Sequence, residues 1–191
     1  MFLFRNYYRI KSTRHPDWNY AGDGMYFVTI CTFNRVYYFG DVINEEMRLN
    51  NTGEIAAKFW AEIPKHFFNV ILDEFVIMPN HVHGIIFICN DDICKCNDDS
   101  QRRDAIYRVS TGGITGKHNP MGTNSLGEII RAYKSAVKRY YTKNNISFSW
   151  QSRFYDRIIR NEYELQNIHD YIYYNPVKWE MDRNNIENLF M

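Results

Sequence analysis

Residues 70–88, VILDEFVIMPNHVHGIIFI, predict the centre of the fold, because they form two apolar runs joined by a short turn. β-branched and aromatic side chains dominate both runs, as they do in strands packed on at least one face. The MPN at 78–80 between them has turn chemistry, since proline fixes φ and asparagine tolerates the left-handed region. We therefore predict strands over 70–77 and 82–89 that pair as a hairpin.

Two histidines, His81 and His83, stand at the start of the second run. Residues i and i+2 of a strand point to the same side, which puts the two imidazoles on one face, about 7 Å apart along the chain. Neutral imidazole nitrogen is a common ligand of divalent metals. The pair therefore indicates either a metal chelate or two hydrogen-bonded strand histidines, and the motif alone does not decide between them.

The other periodic segments predict two more strands and three helices. Thr52 can cap the first helix, and Pro176 disfavours the helical conformation at Asn175, where the last helix should end or kink. We expect the strands at 25–33 and 154–160, and the helices at 50–62, at 125–143 and from about Asn161 onward. The order β-α-β-β-α-β-α predicts an α+β fold: a ferredoxin-like split βαβ core, with an antiparallel sheet and helices on one face, plus a C-terminal helix.

The bulk composition predicts one globular domain over 1–191. Of the 191 residues, 45% are hydrophobic and 24% are charged, which is ordinary for globular proteins. No apolar run reaches 18 residues, so we expect no membrane span, and the N-terminus lacks the apolar region of a signal peptide, which points to the cytoplasm. Periodicity disappears between 90 and 124, where we predict a long, mobile loop.

Charge is segregated along the chain, although the formal net charge is only +1. Residues 41–100 carry a net charge of −7, and residues 101–143 carry a net charge of +7. In the basic segment, a helical stripe at i, i+3 and i+7 is formed by Arg131, Lys134 and Lys138. The stripe indicates either a surface that binds a polyanion, such as a phosphate backbone, or a solvated helix face.

The last helix carries a candidate nucleophile. Tyr171 and Asn175 are four residues apart and share a helix face. A tyrosine hydroxyl is a weak nucleophile because its pKa is near 10, but attack on phosphorus becomes feasible when a metal polarises the phosphate and cations stabilise the charge. A metal on His81 and His83, with the Asn175 amide oxygen as third ligand, would supply this machinery. Since the chain has 15 tyrosines, a packing role is the competing interpretation of Tyr171.

Four separated blocks of sequence resemble one family of enzymes. The second block resembles the histidine–hydrophobe–histidine motif of HUH single-strand endonucleases. Taken together and in this order along the chain, the four blocks resemble the IS200-like single-tyrosine transposases and, within these, the REP-associated tyrosine transposases. The match spans roughly residues 20–180, and the blocks are YFVTICTFNR at 26–35, EFVIMPNHVHGIIFI at 74–88, WQSRFYDRIIRN at 150–161 and DYIYYNPVKW at 170–179.

The resemblance implies a ferredoxin-like core with Mg²⁺ or Mn²⁺ at His81 and His83, and Asn175 where the insertion-sequence relatives have glutamine. It implies that Tyr171 attacks single-stranded DNA beside a hairpin. The products would be a 5′-phosphotyrosine link and a free 3′-OH, from which strands can be rejoined. Tyr173 and Tyr174 are the alternative nucleophiles.

The implied partner is a DNA hairpin of the kind formed by short palindromic repeats, bound by a monomer or a homodimer. The basic stripe is one candidate contact for its phosphates. The further candidates are Arg153, Arg157 and Arg160.

Two other classes of function compete with the transposase. A histidine phosphoesterase is disfavoured, because histidine-triad hydrolases need a histidine where Ile85 stands, and two-histidine phosphoesterases need H-x-[ST] twice, whereas Gly84 follows His83. A catalytically silent hairpin-binding module would keep the basic helix and the aromatic residues, which can stack on bases, while losing His81, His83 or Tyr171. All three are present, which favours the enzyme.

Overall fold

A computed structural model describes residues 18–90 and 124–182, together with the backbone of two paired two-residue strands, β1 (Leu3–Phe4) and β2 (Tyr7–Tyr8). The predicted loop at 90–124 lies outside the described residues except at its two ends. Its mobility therefore stays a prediction, and so does the single domain over the whole chain.

The described residues confirm the α+β class. The further strands are β3 (Gly24–Cys31), β4 (Gly40–Ile43), β5 (Glu46–Leu49), β6 (Val70–Met78), β7 (His81–Ile88) and β8 (Tyr155–Ile159). The α-helices are α1 (Asn51–Ala61), α2 (Ile63–His66), α3 (Leu126–Lys143) and α4 (Glu162–Tyr173), with 3₁₀ helices at Phe33–Arg35 and Trp179–Met181. None of the helices in the described ranges combines the length and the apolar character needed to cross a bilayer.

The central sheet has four antiparallel strands in the order β6-β7-β3-β8. The predicted hairpin of β6 and β7 is confirmed, with its turn at Pro79 and Asn80. The expected reason for asparagine in this turn was wrong, because Asn80 is not among the residues with positive φ. Its side chain instead bonds to neighbouring groups: Nδ2 donates to the Arg35 carbonyl at 3.0 Å.

The sheet has a separate apolar core on each face. On one face, α1 and α3 cover alternate residues of β3 and β7, including Val28 and Ile86. On the opposite face, α4 packs through Leu165, Ile168 and Ile172 against the other set of alternate residues. The helices within the predicted βαββαβ core therefore share one face, and the added C-terminal helix takes the other.

Two local predictions need correction. The N-cap of α1 is Asn50 rather than Thr52, since the Asn50 side chain accepts hydrogen bonds from the backbone N–H groups of Thr52 and Gly53. Thr52 Oγ1 donates instead to the Tyr38 carbonyl. On α3, the helical spacing of the apolar residues predicts Tyr140 as the last member of the buried face, whereas the structure buries Tyr141 and leaves Tyr140 half-buried.

Gly84 allows β7 to lie directly under α1. A Cβ atom at this position would overlap the Trp60 ring and would also lie 3.1 Å from the Phe75 Cβ. Trp60 is fully buried, so its ring has little space to move. The glycine after the second histidine therefore serves the packing on the face that is opposite to the histidines.

We expect Gly84→Ala to lower the free energy of unfolding by about 1–3 kcal/mol, the usual cost of overpacking a core. Urea denaturation measures the change. The matched control is Gly22→Ala, because the nearest atom to its new Cβ is the Asn19 Nδ2 at 3.1 Å, at the end of a side chain that can move. Equal stability of the two variants would contradict the tight approach of Trp60 to β7.

Candidate active site

The register of β7 places both histidines on the α4 face of the sheet. His83 lies opposite Thr29 of β3, and His81 lies opposite Cys31. Their ring centroids are 4.4 Å apart, and the residues are 0% and 1% exposed. The prediction that the two imidazoles share a face is confirmed.

A hydrogen bond at Nδ1 orients each imidazole ring. His81 Nδ1 lies 2.8 Å from Asn80 Oδ1, and because this amide oxygen can only accept, His81 Nδ1 carries the proton. His83 Nδ1 lies 2.9 Å from the Thr29 hydroxyl. A ligating histidine in proteins is held in the same manner, through its second nitrogen. In this arrangement Nε2 is the nitrogen of His81 that has a lone pair to offer to a ligand.

Tyr171 reaches the histidines from α4. Its hydroxyl lies 3.2 Å from His83 Nε2, and its ring packs edge to face on Phe27 with centroids 5.8 Å apart. Tyr173 and Tyr174, the alternative nucleophiles, are 72% and 45% exposed and pack edge to face against each other. Tyr171 is therefore the tyrosine of this segment whose hydroxyl meets the histidine pair.

Asp182 completes the cluster and was missed by the sequence analysis. After α4 the chain enters the 3₁₀ helix Trp179–Met181, and the buried Trp179 stacks on His81 at a centroid distance of 5.9 Å. The next residue is Asp182, which forms with His81 and His83 a group whose ligand atoms all lie within 4.8 Å of one another. The Tyr171 hydroxyl donates to Asp182 Oδ2 at 3.5 Å.

Asn175, the predicted third ligand, lies at the edge of this cluster. It is 1% exposed, and its Nδ2 donates to Asp182 Oδ2 at 3.5 Å. Its Oδ1 is buried and has no hydrogen-bond partner within the described part of the chain. Burying an amide oxygen in this way is costly, and a bound cation would satisfy it.

The residues present fit a divalent cation. The donor set consists of two imidazole nitrogens and one carboxylate, with an amide oxygen beside them. Imidazole suits several transition metals, and carboxylate and amide oxygens suit Mg²⁺ and Mn²⁺. The structure thus contains a candidate metal site at His81, His83 and Asp182, in contact with the hydroxyl of Tyr171.

A cleft of about 880 Å³ opens beside Tyr171, between β8 and α4. Arg157, one of the predicted DNA contacts, lines it and lies 3.3 Å from Glu164. A hydrogen bond from the backbone N–H of Arg160 is the main cause that holds the pKa of Glu164 below its usual range, and the Arg157 side chain lowers this pKa further. The cleft is also lined by Tyr155, Tyr163, Asn167 and Lys178.

The basic stripe on α3 is not brought to the histidines, because α3 covers the opposite face of the sheet. Arg131 pairs with Glu128 at 3.8 Å. Lys134 Nζ donates to the Gln151 carbonyl at 2.6 Å, and burial lowers the pKa of this ammonium group to about 8. Lys138 is exposed. Lys134 therefore anchors the segment before β8, which the helical spacing did not reveal.

No family model matches the chain. A Haemophilus influenzae protein that is itself uncharacterised is 38% identical over 174 residues, with 91% of each chain covered. A second Haemophilus influenzae protein, provisionally named a REP-associated tyrosine transposase, is 28% identical over 166 residues, covering 84% of this chain and 76% of its own length.

The fold agrees with a solved structure of a REP-associated tyrosine transposase bound to a REP hairpin. The TM-score is 0.54 at 17% identity, covering 89% of this chain and 74% of the other. The chain thus resembles the REP-associated tyrosine transposases in sequence and in fold. The resemblance expected from the four sequence blocks is thereby confirmed, and the structural likeness establishes the shared α+β fold with its antiparallel sheet.

We expect Mn²⁺ to bind this protein, and His81→Ala or His83→Ala to weaken binding about tenfold or more, because each removes a nitrogen donor. Asp182→Asn should weaken binding through loss of the negative charge, and Asn175→Ala should have a smaller effect. Isothermal calorimetry measures all four variants. The control is His66→Ala, at an exposed histidine on α2. Wild-type affinity in both histidine variants would exclude the site.

Proposed function

We propose that this protein is a metal-dependent endonuclease and strand transferase that cuts single-stranded DNA beside hairpins through Tyr171. The observation that carries the proposal is the distance of 3.2 Å between the Tyr171 hydroxyl and His83 Nε2, inside a group of two histidines and an aspartate. A hydroxyl nucleophile beside a cation site is an arrangement suited to attack on a phosphodiester, because the cation polarises the phosphate. The similarity to a protein provisionally named a REP-associated tyrosine transposase supports the same reaction.

The cation would be held by His81, His83 and Asp182, with Asn175 Oδ1 as a further oxygen donor. Mg²⁺ or Mn²⁺ suits this set and, when bound, would polarise the scissile phosphate and reduce its repulsion of the nucleophile. The contribution of the chain is orientation. Asn80 and Thr29 hold the imidazole rings through Nδ1, and Trp179 supports His81 from the side.

The proposed reaction exchanges one phosphoester bond for another. The Tyr171 oxygen forms a bond to phosphorus while the bond from phosphorus to the 3′ oxygen of the preceding nucleotide breaks. Asp182 Oδ2, which accepts a hydrogen bond from the hydroxyl at 3.5 Å, is the proposed acceptor of the tyrosine proton. The departing 3′ oxygen takes up a proton, so the products are a 5′-phosphotyrosine link and a free 3′-OH.

Rejoining is the same exchange in reverse. A 3′-OH attacks the phosphotyrosine, the bond from phosphorus to the Tyr171 oxygen breaks, and the tyrosine regains its proton. No external energy source is needed, because each step replaces one phosphoester bond with another. This makes strand transfer, and not only cleavage, the activity expected of the site.

The proposed DNA contacts run from the cleft to the edge of the sheet. Arg157 lines the cleft, with Arg153 and Arg160 at the two ends of β8. Lys134 Nζ lies 3.5 Å from the Arg153 carbonyl, so the α3 stripe meets β8 at this edge. The proposed partner is a DNA hairpin of a palindromic repeat, taken by a monomer or a homodimer, and the similar solved structure is bound to a REP hairpin.

We expect Tyr171→Phe to abolish the covalent protein–DNA adduct and the cleavage of a hairpin oligonucleotide with Mg²⁺. The change removes the attacking oxygen and keeps the ring, so hairpin affinity should stay within about twofold. Denaturing gel electrophoresis of labelled DNA detects both products.

Tyr173→Phe and Tyr174→Phe are the matched controls for this experiment and should keep the adduct, since both side chains point outward. Loss of the adduct only in Tyr173→Phe or only in Tyr174→Phe would identify that tyrosine as the nucleophile instead of Tyr171. Full cleavage in all three variants would reject tyrosine chemistry, and hairpin binding without any cleavage by the wild type would leave a binding module.

For the α3 stripe, we expect Lys138→Ala to reduce the log–log slope of hairpin affinity against salt by about 0.7, the value for one phosphate contact in single-stranded DNA. Lys134→Ala should change the slope less and lower the melting temperature more, because Lys134 Nζ already donates to the Gln151 carbonyl. Salt titrations and thermal denaturation test the pair. If the slope is unchanged both in Lys138→Ala and in Arg131→Ala, the α3 stripe is a solvated helix face and does not contact DNA.

A further inference from the structure

A row of side chains on α4 faces the cleft. The proposed nucleophile, Tyr171, is the last residue of this row. Tyr163, Asn167 and Tyr171 stand at i, i+4 and i+8 and so share one helix face. All three line the cleft. Tyr163 is 78% exposed, and among the described residues its ring packs against no other aromatic ring. A large, rigid aromatic surface is therefore accessible within the same cleft as the Tyr171 hydroxyl.

The facing wall of the cleft is β8. Tyr155 and Arg157 pair with Thr29 and Phe27 of β3, and this register puts both on the α4 face of the sheet. Tyr155 is 43% exposed, and the Arg157 side chain is 55% exposed. One aromatic ring and one cation therefore stand side by side on this wall, and the exposed Lys178 lines the cleft as well.

Aromatic surfaces interleaved with cations match the chemistry of a single nucleic acid strand, whose bases stack while its phosphates meet the positive charges. A duplex would keep its bases stacked on one another and would leave Tyr163 without a partner. A purely apolar ligand would gain nothing from Arg157 or Lys178. The volume of about 880 Å³ lies near the upper end of ordinary ligand pockets, about 300–1,000 Å³, and is ample for a base with its sugar.

Building on the function proposed above, we propose that this cleft binds the unpaired nucleotides next to the scissile phosphate, with one base stacked on Tyr163. Tyr163 and Tyr171 are eight residues apart, which is about 12 Å along a helix. A stacked strand advances about 3.4 Å per nucleotide, so the base on Tyr163 belongs to a nucleotide within about four of the cut. Asn167, between the two tyrosines, offers an amide donor and an acceptor to a base edge.

The test compares two DNA ligands, a hairpin with a single-stranded flank that contains the cleavage site and the same hairpin without the flank. Tyr163→Ala should weaken binding of the flanked hairpin by about 5- to 150-fold, the range for one base–aromatic stack, and leave the bare hairpin unaffected. Tyr163→Trp should keep the affinity, because it keeps a stacking surface. The matched control is Tyr173→Ala, on the same helix and 72% exposed, but not a lining residue of the cleft.

Abasic substitutions along the flank locate the stacked nucleotide. An abasic substitution at one of the first four positions from the cut should weaken binding to the wild type by the same factor as Tyr163→Ala. The same substitution should not weaken binding to the Tyr163→Ala variant any further, since the abasic site and the alanine each remove the same stack. Equal effects of Tyr163→Ala and Tyr173→Ala, or equal effects on both ligands, would overturn the inference while adduct formation by the wild type still supports the proposed function. A wild type that neither binds nor cuts the flanked hairpin would overturn the proposed function itself, and the inference with it.

Discussion

The pairing of β7 between β3 and β6 is the constraint on which the rest of the structure depends. All eight residues of β7 are buried, and their side chains alternate between the two cores with a period of two. Val82 and Ile86 face α1 and α3, whereas His81 and His83 face α4. A slip of one residue would exchange these sets, placing imidazoles under Trp60 and leaving the site without nitrogen donors. One register therefore determines both the packing of the core and the composition of the site.

Burial of two imidazoles is costly unless their nitrogens have partners. The Nδ1 and Nε2 atoms differ in the partners available to them. The Nδ1 atoms of both rings are hydrogen-bonded, that of His83 to Thr29 in the sheet and that of His81 to Asn80 in the turn before β7. At His83, the Nε2 lies 3.2 Å from the Tyr171 hydroxyl, inside the group that His83 forms with His81 and Asp182. Together with the buried Asn175 Oδ1, this makes the folded site a better ligand for a cation than the unfolded chain, and binding would stabilise the fold.

The sequence predicted the elements whose signal is local and missed those that depend on distant contacts. Strand alternation and helical periodicity predicted the four sheet strands, and the pair of histidines could be assigned to one face from their spacing alone. The β4–β5 hairpin was missed because its turn uses Asn44 and Glu45 at φ of 54° and 64°, without the Asn-Gly pair that signals such turns. Asp182 was missed because only the packing of Trp179 on His81 brings it to the site, and nothing in the local sequence distinguishes it from other acids.

The charge pattern shows a second limit of sequence reasoning. Helical spacing established that three cations share a face of α3, but not how that face lies relative to the α4 side of the sheet. Since α3 and α4 cover opposite faces, and exposed charges are screened within about 8–10 Å at physiological salt, the stripe acts on DNA in the cleft only if the DNA passes around the sheet. One edge of the sheet is formed by β8, which within the described residues pairs with β3 alone. Arg157 lies on β8 and Arg153 just before it, so the edge itself carries the charges that would link the hairpin on one side to the cut strand on the other.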